Sequence, residues 1–330
     1  MKEKFIAVVV AAIFSVVLAG SALAEDINAY MATSPDNNAK IVKFIKDKTG
    51  ITVNQTFQSC GEVEAKMKAE APNFSADMVI GACSPQGYLA KKSGWTLPYV
   101  SPAWKGVPDV FVDPKGDFYH IATFSFVLVG NKDRLSKAGY KMPESWKDLL
   151  DPKWKGEIVM PSPLSSGTAN MMRFTFLALY GDAEGWKYLE ALDKNIHHYS
   201  RSGNAPTDLV GRGEFMLGIT SDENVKKRID DGYPLIWSIP KEGTGYDGTT
   251  SFILKTTKKA ETCKKIIDVL GTQEFSDLMA AIGYVTPRPA KNALYGTTLP
   301  KFVNLDLGKA ADEKAKNNDI WKQKLRTDFK

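Results

Sequence analysis

The chain repeats one local pattern: a short apolar run, a turn of small hydroxylated residues, then a stretch of helical period. DMVIG (77–81) leads through Cys83 and Ser84 into 85–92. EIVMP (157–161) leads through Ser165-Ser166-Gly167-Thr168 into a segment with Met171, Met172, Phe174, Phe176, Leu177 and Leu179 on one side. Apolar runs this short read as strands buried on both faces, the kind that helices cover in a parallel sheet. The pattern predicts an α/β fold.

The early chain reads strand 26–32, helix 36–49, strand 51–57, helix 63–71, strand 77–81, helix 85–92. Gly50 marks one helix end. A second series follows, with strands at 157–161, 196–200, 215–220 and 234–239. Pro206 is well placed in the first turn of a helix. Two such series predict two lobes. IATFSFVLVG (121–130) and KEGTGYDGTTSFILK (241–255) read as the two crossings between them, a hinge around a cleft. The expected division is 25–125 plus 250–290 for the first lobe and 126–249 plus 291–330 for the second. The tail, 312–330, reads as a charged amphipathic helix carrying Ile320, Trp321 and Leu325.

Residues 1–24 read as a secretory signal peptide: Lys2 and Lys4, an apolar run, then Ala22-Leu23-Ala24. Ser21 stands where a lipoprotein needs cysteine, so a soluble exported protein without a lipid anchor is expected. The formal charge of +5, spread evenly over 330 residues, favours small anions slightly and argues against a nucleic-acid partner. Cys60 and Cys83 both follow strands of the first lobe. A disulfide and two free thiols are both open readings there. Cys263 reads as a buried thiol. With no C-x-x-C pair, no metal or cofactor is expected.

In open α/β sheets ligands bind beyond the carboxyl ends of the strands. This chain puts Ser166-Gly167-Thr168, Ser202-Gly203-Asn204 and Asp222-Glu223 there in the second lobe, and Ser34, Ser59, Cys60 and Ser84 in the first. Free backbone N–H groups and the positive helix end make each junction an anion site. Each is equally a helix cap, since Ser, Thr and Asn are preferred in that role. Charge-assisted hydrogen bonds are worth about 1.5–3 kcal/mol each. A micromolar ligand needs about 8 kcal/mol, so four or five such donors suffice. Asp222 and Glu223 suit the ammonium or hydroxyl end of a ligand whose other end is anionic.

The stretches KAEAPNFSADMVIG (68–81), SWKDLLDPKWKGEIVMPSPLSSGTA (145–169), SGNAP (202–206), GEFMLGI (213–219) and PKEGTGYDG (240–248) resemble periplasmic solute-binding proteins of ABC importers, in the ferric-iron and phosphonate-type group. The resemblance implies a two-lobed type II periplasmic-binding fold, a monomer that closes on its ligand, and docking on a permease at the inner membrane. Ferric binders of this group carry adjacent tyrosines after the strand matching GEFMLGI. This chain has Thr220-Ser221-Asp222-Glu223-Asn224, which removes the phenolates that suit Fe³⁺. SSGTA and SGNAP look like the branch that binds phosphonates or phosphorylated sugars. SCGE (59–62) resembles a family S-x-G-E turn, with Cys60 and Cys83 as departures.

Three rivals remain at this level. An enzyme would draw on Ser202 and His198, but no nucleophile elbow is present and neighbours on a strand point apart, which also argues against metal chelation by His197 and His198. A ferric receptor would draw on Tyr246, Tyr199 and His120. A polyamine or thiamine binder would use Asp222 and Glu223 with Trp95, Trp104 and Tyr88. The expectation is a non-catalytic binding protein for a small anionic organic ligand, with ferric iron as the alternative.

Overall fold

The computed structural model describes residues 26–295 and 300–327; the expected signal peptide lies outside them. Three βα units open the fold: β1 (Asp26–Met31), α1 (Pro35–Thr49), β2 (Thr52–Phe57), α2 (Cys60–Glu70), β3 (Met78–Ala82) and α3 (Ser84–Lys92). A long strand, β4 (Tyr119–Asn131), precedes α4 (Lys132–Ala138). The second series is β5 (Ile158–Pro161), α5 (Gly167–Tyr180), α6 (Asp182–Asp193), β6 (Ile196–Ser200), α7 (Ala205–Gly211), β7 (Leu217–Ser221), α8 (Asp222–Asp230) and β8 (Leu235–Ser238). The chain returns through β9 (Tyr246–Ile253), α9 (Ala260–Leu270) and α10 (Gln273–Ala281), and the tail forms α11 (Leu307–Asp312) and α12 (Lys314–Lys324).

Local chemistry explains the helix boundaries. Ser34 Oγ accepts from Asn37 N at the start of α1, Pro35 supplies the first turn, and Gly50 closes the helix at φ 73°. Helix α2 begins three residues before its apolar periodicity. Ser59 and Glu62 form a reciprocal capping box there: Ser59 N donates to Glu62 Oε2 (2.7 Å) and Glu62 N to Ser59 Oγ (3.3 Å). The tail helix expected from sequence is α12, within the expected span, and a further short helix, α11, precedes it and meets it at Glu313.

The strand order is β2-β1-β3-β9-β4-β7-β5-β6, with β8 also on β4. Strands β1, β2 and β3 are parallel, as are β5, β6 and β7. Strand β9 enters antiparallel between β3 and β4, so neither half of the sheet is purely parallel. Strand β4 belongs to both halves. Its Tyr119–Ser125 segment pairs with β9, and from Phe126 onward it pairs with β7 and then β8. All thirteen of its residues are buried, and one continuous apolar core runs beneath both halves. The tail touches both: α11 packs on α3, Lys314 pairs with Glu64 of α2 at 3.0 Å, and Trp321 stacks edge-on against Tyr199 of β6.

Candidate ligand cleft

The carboxyl ends of the parallel strands in both halves open onto one cleft of about 930 Å³. Ten of the twelve residues expected from sequence line it. Ser34, Ser59 and Cys60 come from the first half, and Ser166, Gly167, Thr168, Ser202, Gly203, Asn204 and Glu223 from the second. The antiparallel β9 brings its starting end to the same place and adds Gly248 and Thr249. Phe124 of β4 and Tyr284 complete the floor.

The cap reading holds for several of these hydroxyls. Ser34 accepts from Asn37 N, Ser59 from Glu62 N, and Ser166 from Ala169 N (3.2 Å). In the next loop Ser202 Oγ accepts from Asn204 N at 3.2 Å, and Asn204 Oδ1 accepts from Asn224 Nδ2 at 2.8 Å. A cap uses a lone pair and leaves the O–H free to donate, so capping and anion binding are compatible. Thr168 differs: it lines the cleft in the first turn of α5, and its hydroxyl has no hydrogen-bond partner among the described residues. The first N–H groups of α5 have no intrahelical acceptor either.

Two glycines permit close packing around Thr168. A Cβ on Gly203 would stand 3.0 Å from Thr168 Oγ1, and one on Gly167 would stand 3.3 Å from Cys83 Sγ and 3.4 Å from Cys60 Cβ. Cys60 and Cys83 are joined as a disulfide. It staples the junctions after β2 and β3 across the end of β1, and it is the surface that Gly167 meets from the opposite half. Lys227 reaches Asp36 across the cleft mouth at 3.2 Å, and Asn37 Nδ2 donates to Tyr284 Oη at 3.3 Å.

Residues 73–323 match the family described as bacterial extracellular solute-binding protein. The chain belongs to this family. An uncharacterized protein of Haemophilus influenzae is 33% identical to this solute-binding protein over 225 residues, covering 66% of the chain here and 64% of its own, so just under two thirds of that relative is spanned. A probable ABC transporter periplasmic-binding protein of Sinorhizobium fredii is 28% identical across 98% of this chain and 90% of its own. Among solved structures, the periplasmic binding protein AfuA of Actinobacillus pleuropneumoniae, with fructose-6-phosphate bound, superposes with a TM-score of 0.83 at 27% identity, covering 91% of this chain and 98% of that one. The fold is the two-lobed type II periplasmic-binding fold, as the repeated βα pattern and the quoted stretches led us to expect.

Two expected residues of this solute-binding protein lie behind the cleft wall. Ser84 is the first residue of α3 rather than its cap. Its side chain turns inward, so that Oγ accepts from Gly248 N (2.7 Å) while its own N–H donates to Asp247 Oδ1 (2.9 Å). Asp222 likewise follows the cap residue Ser221. Its carboxylate accepts from Ser125 N (3.1 Å), Tyr295 Oη (2.6 Å) and Glu223 N (2.8 Å) and has no exposure. Burial raises the Asp222 carboxyl to about 6 against those three hydrogen bonds. Glu223 does line the cleft. Its Oε1 accepts from Ser221 Oγ at 2.9 Å, and its buried Oε2 has no partner among the described residues. Burial first, and the Asp222 carboxylate second, hold Glu223 well above the usual carboxylate range. A hydroxyl or ammonium group is the natural complement to that oxygen.

The residues on which the rival readings drew are not brought together. Tyr199 Oη donates to Asp193, His120 is buried against Thr250 Oγ1, and Tyr246 is buried on β9; none of the three lines the cleft. Trp104 Nε1 donates to Ile267 O in the core, and Trp95 packs edge-on against Phe74 at a separate shallow pocket. One geometric expectation fails outright. His197 and His198 do not point apart, because β6 bulges at His197: Ile196 faces Ile158 and His198 faces Val159. Their Nδ1 atoms approach to 3.0 Å, and neither histidine lines the cleft that Ser202 borders. Among the described residues, no group of three or more His, Cys, Asp or Glu is placed to hold a metal ion.

Sequence reasoning missed Phe124, Tyr284, Thr249 and Lys40. Phe124 and Thr249 lie within β runs whose alternation could have aimed them, once the strand order was known. Tyr284 follows the end of α10 and carries no local signal. Lys40 sits on α1 as one more helix-face lysine and has no ion pair among the described residues. Arg201 is exposed and also borders the cleft.

Proposed function

We propose that this chain is the periplasmic solute-binding component of an ABC importer, which takes up a small phosphonate or phosphorylated organic solute and delivers it to a permease at the inner membrane. The observation that carries this reading is the convergence of hydroxyls and helix-start N–H groups from both halves of the sheet on one cleft, with the Thr168 hydroxyl unengaged among the described residues. The phosphoryl or phosphonyl oxygens sit at the start of α5, held by Ser166, Gly167 and Thr168, with Ser202, Gly203 and Asn204 beside them. The lobes are 25–125 plus 250–290 and 126–249 plus 291–330; the change of partner along β4 after Ser125 supports the first boundary. Ser34, Ser59 and Cys60 close over the ligand from the first lobe, and Glu223 takes a hydroxyl or ammonium at its other end. The protein acts as a monomer, without a cofactor and without catalysis. Export to the periplasm by residues 1–24 belongs to the same proposal. Among the described residues no helix is long and apolar enough to cross a membrane.

The test is a thermal-shift panel on protein lacking residues 1–24, with 2-aminoethylphosphonate, hexose phosphates, phosphoglycerate, ferric salts with bicarbonate, and polyamines. A ligand at a hundred times its Kd stabilises by about 2.7 kcal/mol. The Thr168→Ala and Ser202→Ala double variant should bind the positive compound at least tenfold more weakly, a loss of about 1.4 kcal/mol. Unchanged affinity would remove this site assignment. A shift with ferric salts alone would replace the anion reading with the ferric one.

A further inference from the structure

Behind the cleft, α5 carries a buried cation with no anionic partner among the described residues. Arg173 has no exposure, and no carboxylate pairs with it among the described residues. Its Nη1 donates to Asn318 Oδ1 of α12 (2.9 Å) and its Nη2 to Asn170 Oδ1, one turn back on α5. The guanidinium Nε and Asn170 Nδ2 are buried without an acceptor. On α12, Asn317 Nδ2 and Trp321 Nε1, four residues apart on one face of the helix, are buried without an acceptor as well. Four N–H donors thus lie on two helices joined by the Arg173–Asn318 bond. The side-chain oxygens that the cluster does offer, Asn170 Oδ1 and Asn318 Oδ1, are already engaged by the guanidinium.

Buried polar groups are paired in nearly all native structures, and an unpaired buried charge is strongly destabilising. Arginine does not escape by losing its proton, because its ordinary pKa lies above 12; burial alone lowers this one to about 9, which still leaves it charged at neutral pH. The cluster needs an acceptor that also carries negative charge. Water would bring two further hydrogens in need of acceptors and leave the charge uncompensated. A dianion would overcompensate a single guanidinium.

We propose that Arg173 and Asn170 form a structural site for a small monovalent anion, chloride in the first instance, where α5 meets the C-terminal helix. The anion is distinct from the solute in the cleft. Its role is to join the tail to the helix whose first turn receives that solute.

The proposal does not rest on the ligand reading, and its test uses ligand-free protein. Thermal unfolding is compared in sodium chloride and sodium gluconate at equal ionic strength. Chloride should raise Tm by ~2–4 °C, saturably, and Arg173→Met should unfold at the same temperature in both salts. Because that variant removes a buried group and risks not folding, wild-type crystals grown in bromide supply the second reading. They should show an anomalous peak within hydrogen-bond distance of Arg173 Nε. Equal Tm in the two salts for the wild type would overturn the site, and so would density at that position with no anomalous signal in bromide.

Discussion

At Ser34, Ser59 and Ser166 a hydroxyl oxygen caps a helix while its hydrogen stays available, so structural and binding roles share one atom. Residues one position further on behave differently. Ser84 and Asp222, each at the first helical position, turn into the interior. From sequence alone the two positions look alike, because the boundary between cap and first turn shifts by one or two residues with tertiary context. The inward turn of Ser84 places its N–H on Asp247, whose Oδ2 has no partner among the described residues and whose carboxyl is raised to about 7, chiefly by burial. A carboxyl raised in the fold keeps its proton where the unfolded chain has lost it. Its contribution to stability is therefore fully present below about pH 4 and is lost as pH rises to about 7. Asp247→Asn lacks that loss. It should be more stable than wild type at pH 8 by on the order of 1 kcal/mol or more, and the gap should close by about pH 3.5. Urea unfolding at the two pH values measures this, and a gap independent of pH would refute the assignment.

At the scale of elements, the βα repeat was readable because each strand is a short apolar run ended by a small turn, and most spans differ from expectation by only a few residues. The Cys60–Cys83 bond was left open for a physical reason. The two cysteines follow β2 and β3, and whether those junctions meet depends on the strand order, in which β1 lies between them. Spacing along the chain carries no such information. With 23 residues separating its ends, the bond constrains the unfolded chain by about 3 kcal/mol in the loop-entropy account. Cys60→Ser with Cys83→Ser should lower the urea midpoint accordingly. Because the same bond abuts Gly167, the variant should also bind the cleft ligand more weakly. A midpoint equal to that of wild type would show that the bond contributes nothing to the fold. The bulge that turns His197 beside His198 was equally hidden, since an alternating pattern does not announce where the alternation slips.

For the whole molecule, three features span the two halves: the shared strand β4, the tail across α3 and β6, and the Lys227–Asp36 pair at the cleft mouth. The last is half-exposed, and exposed ion pairs contribute about 0–1 kcal/mol. Lys227→Ala should therefore weaken ligand binding by less than about fivefold, as measured by calorimetric titration. A loss beyond about tenfold would mean that this pair, rather than the cleft hydroxyls, governs closure. Two crossings were legible as long β-rich segments. The antiparallel entry of β9 was not, because direction within a sheet leaves no mark on an apolar run buried on both faces. That entry has a consequence for how the molecule comes into being. Strand β9 sits between β3 and β4, so the first half of the sheet is incomplete until residue 253 has been made. A chain delivered from its N-terminus exposes the edge of β3 until β9 arrives, and such edges recruit other chains. The second half, by contrast, has all of its own strands in hand by residue 238. The part of the protein translated first is the part that finishes last.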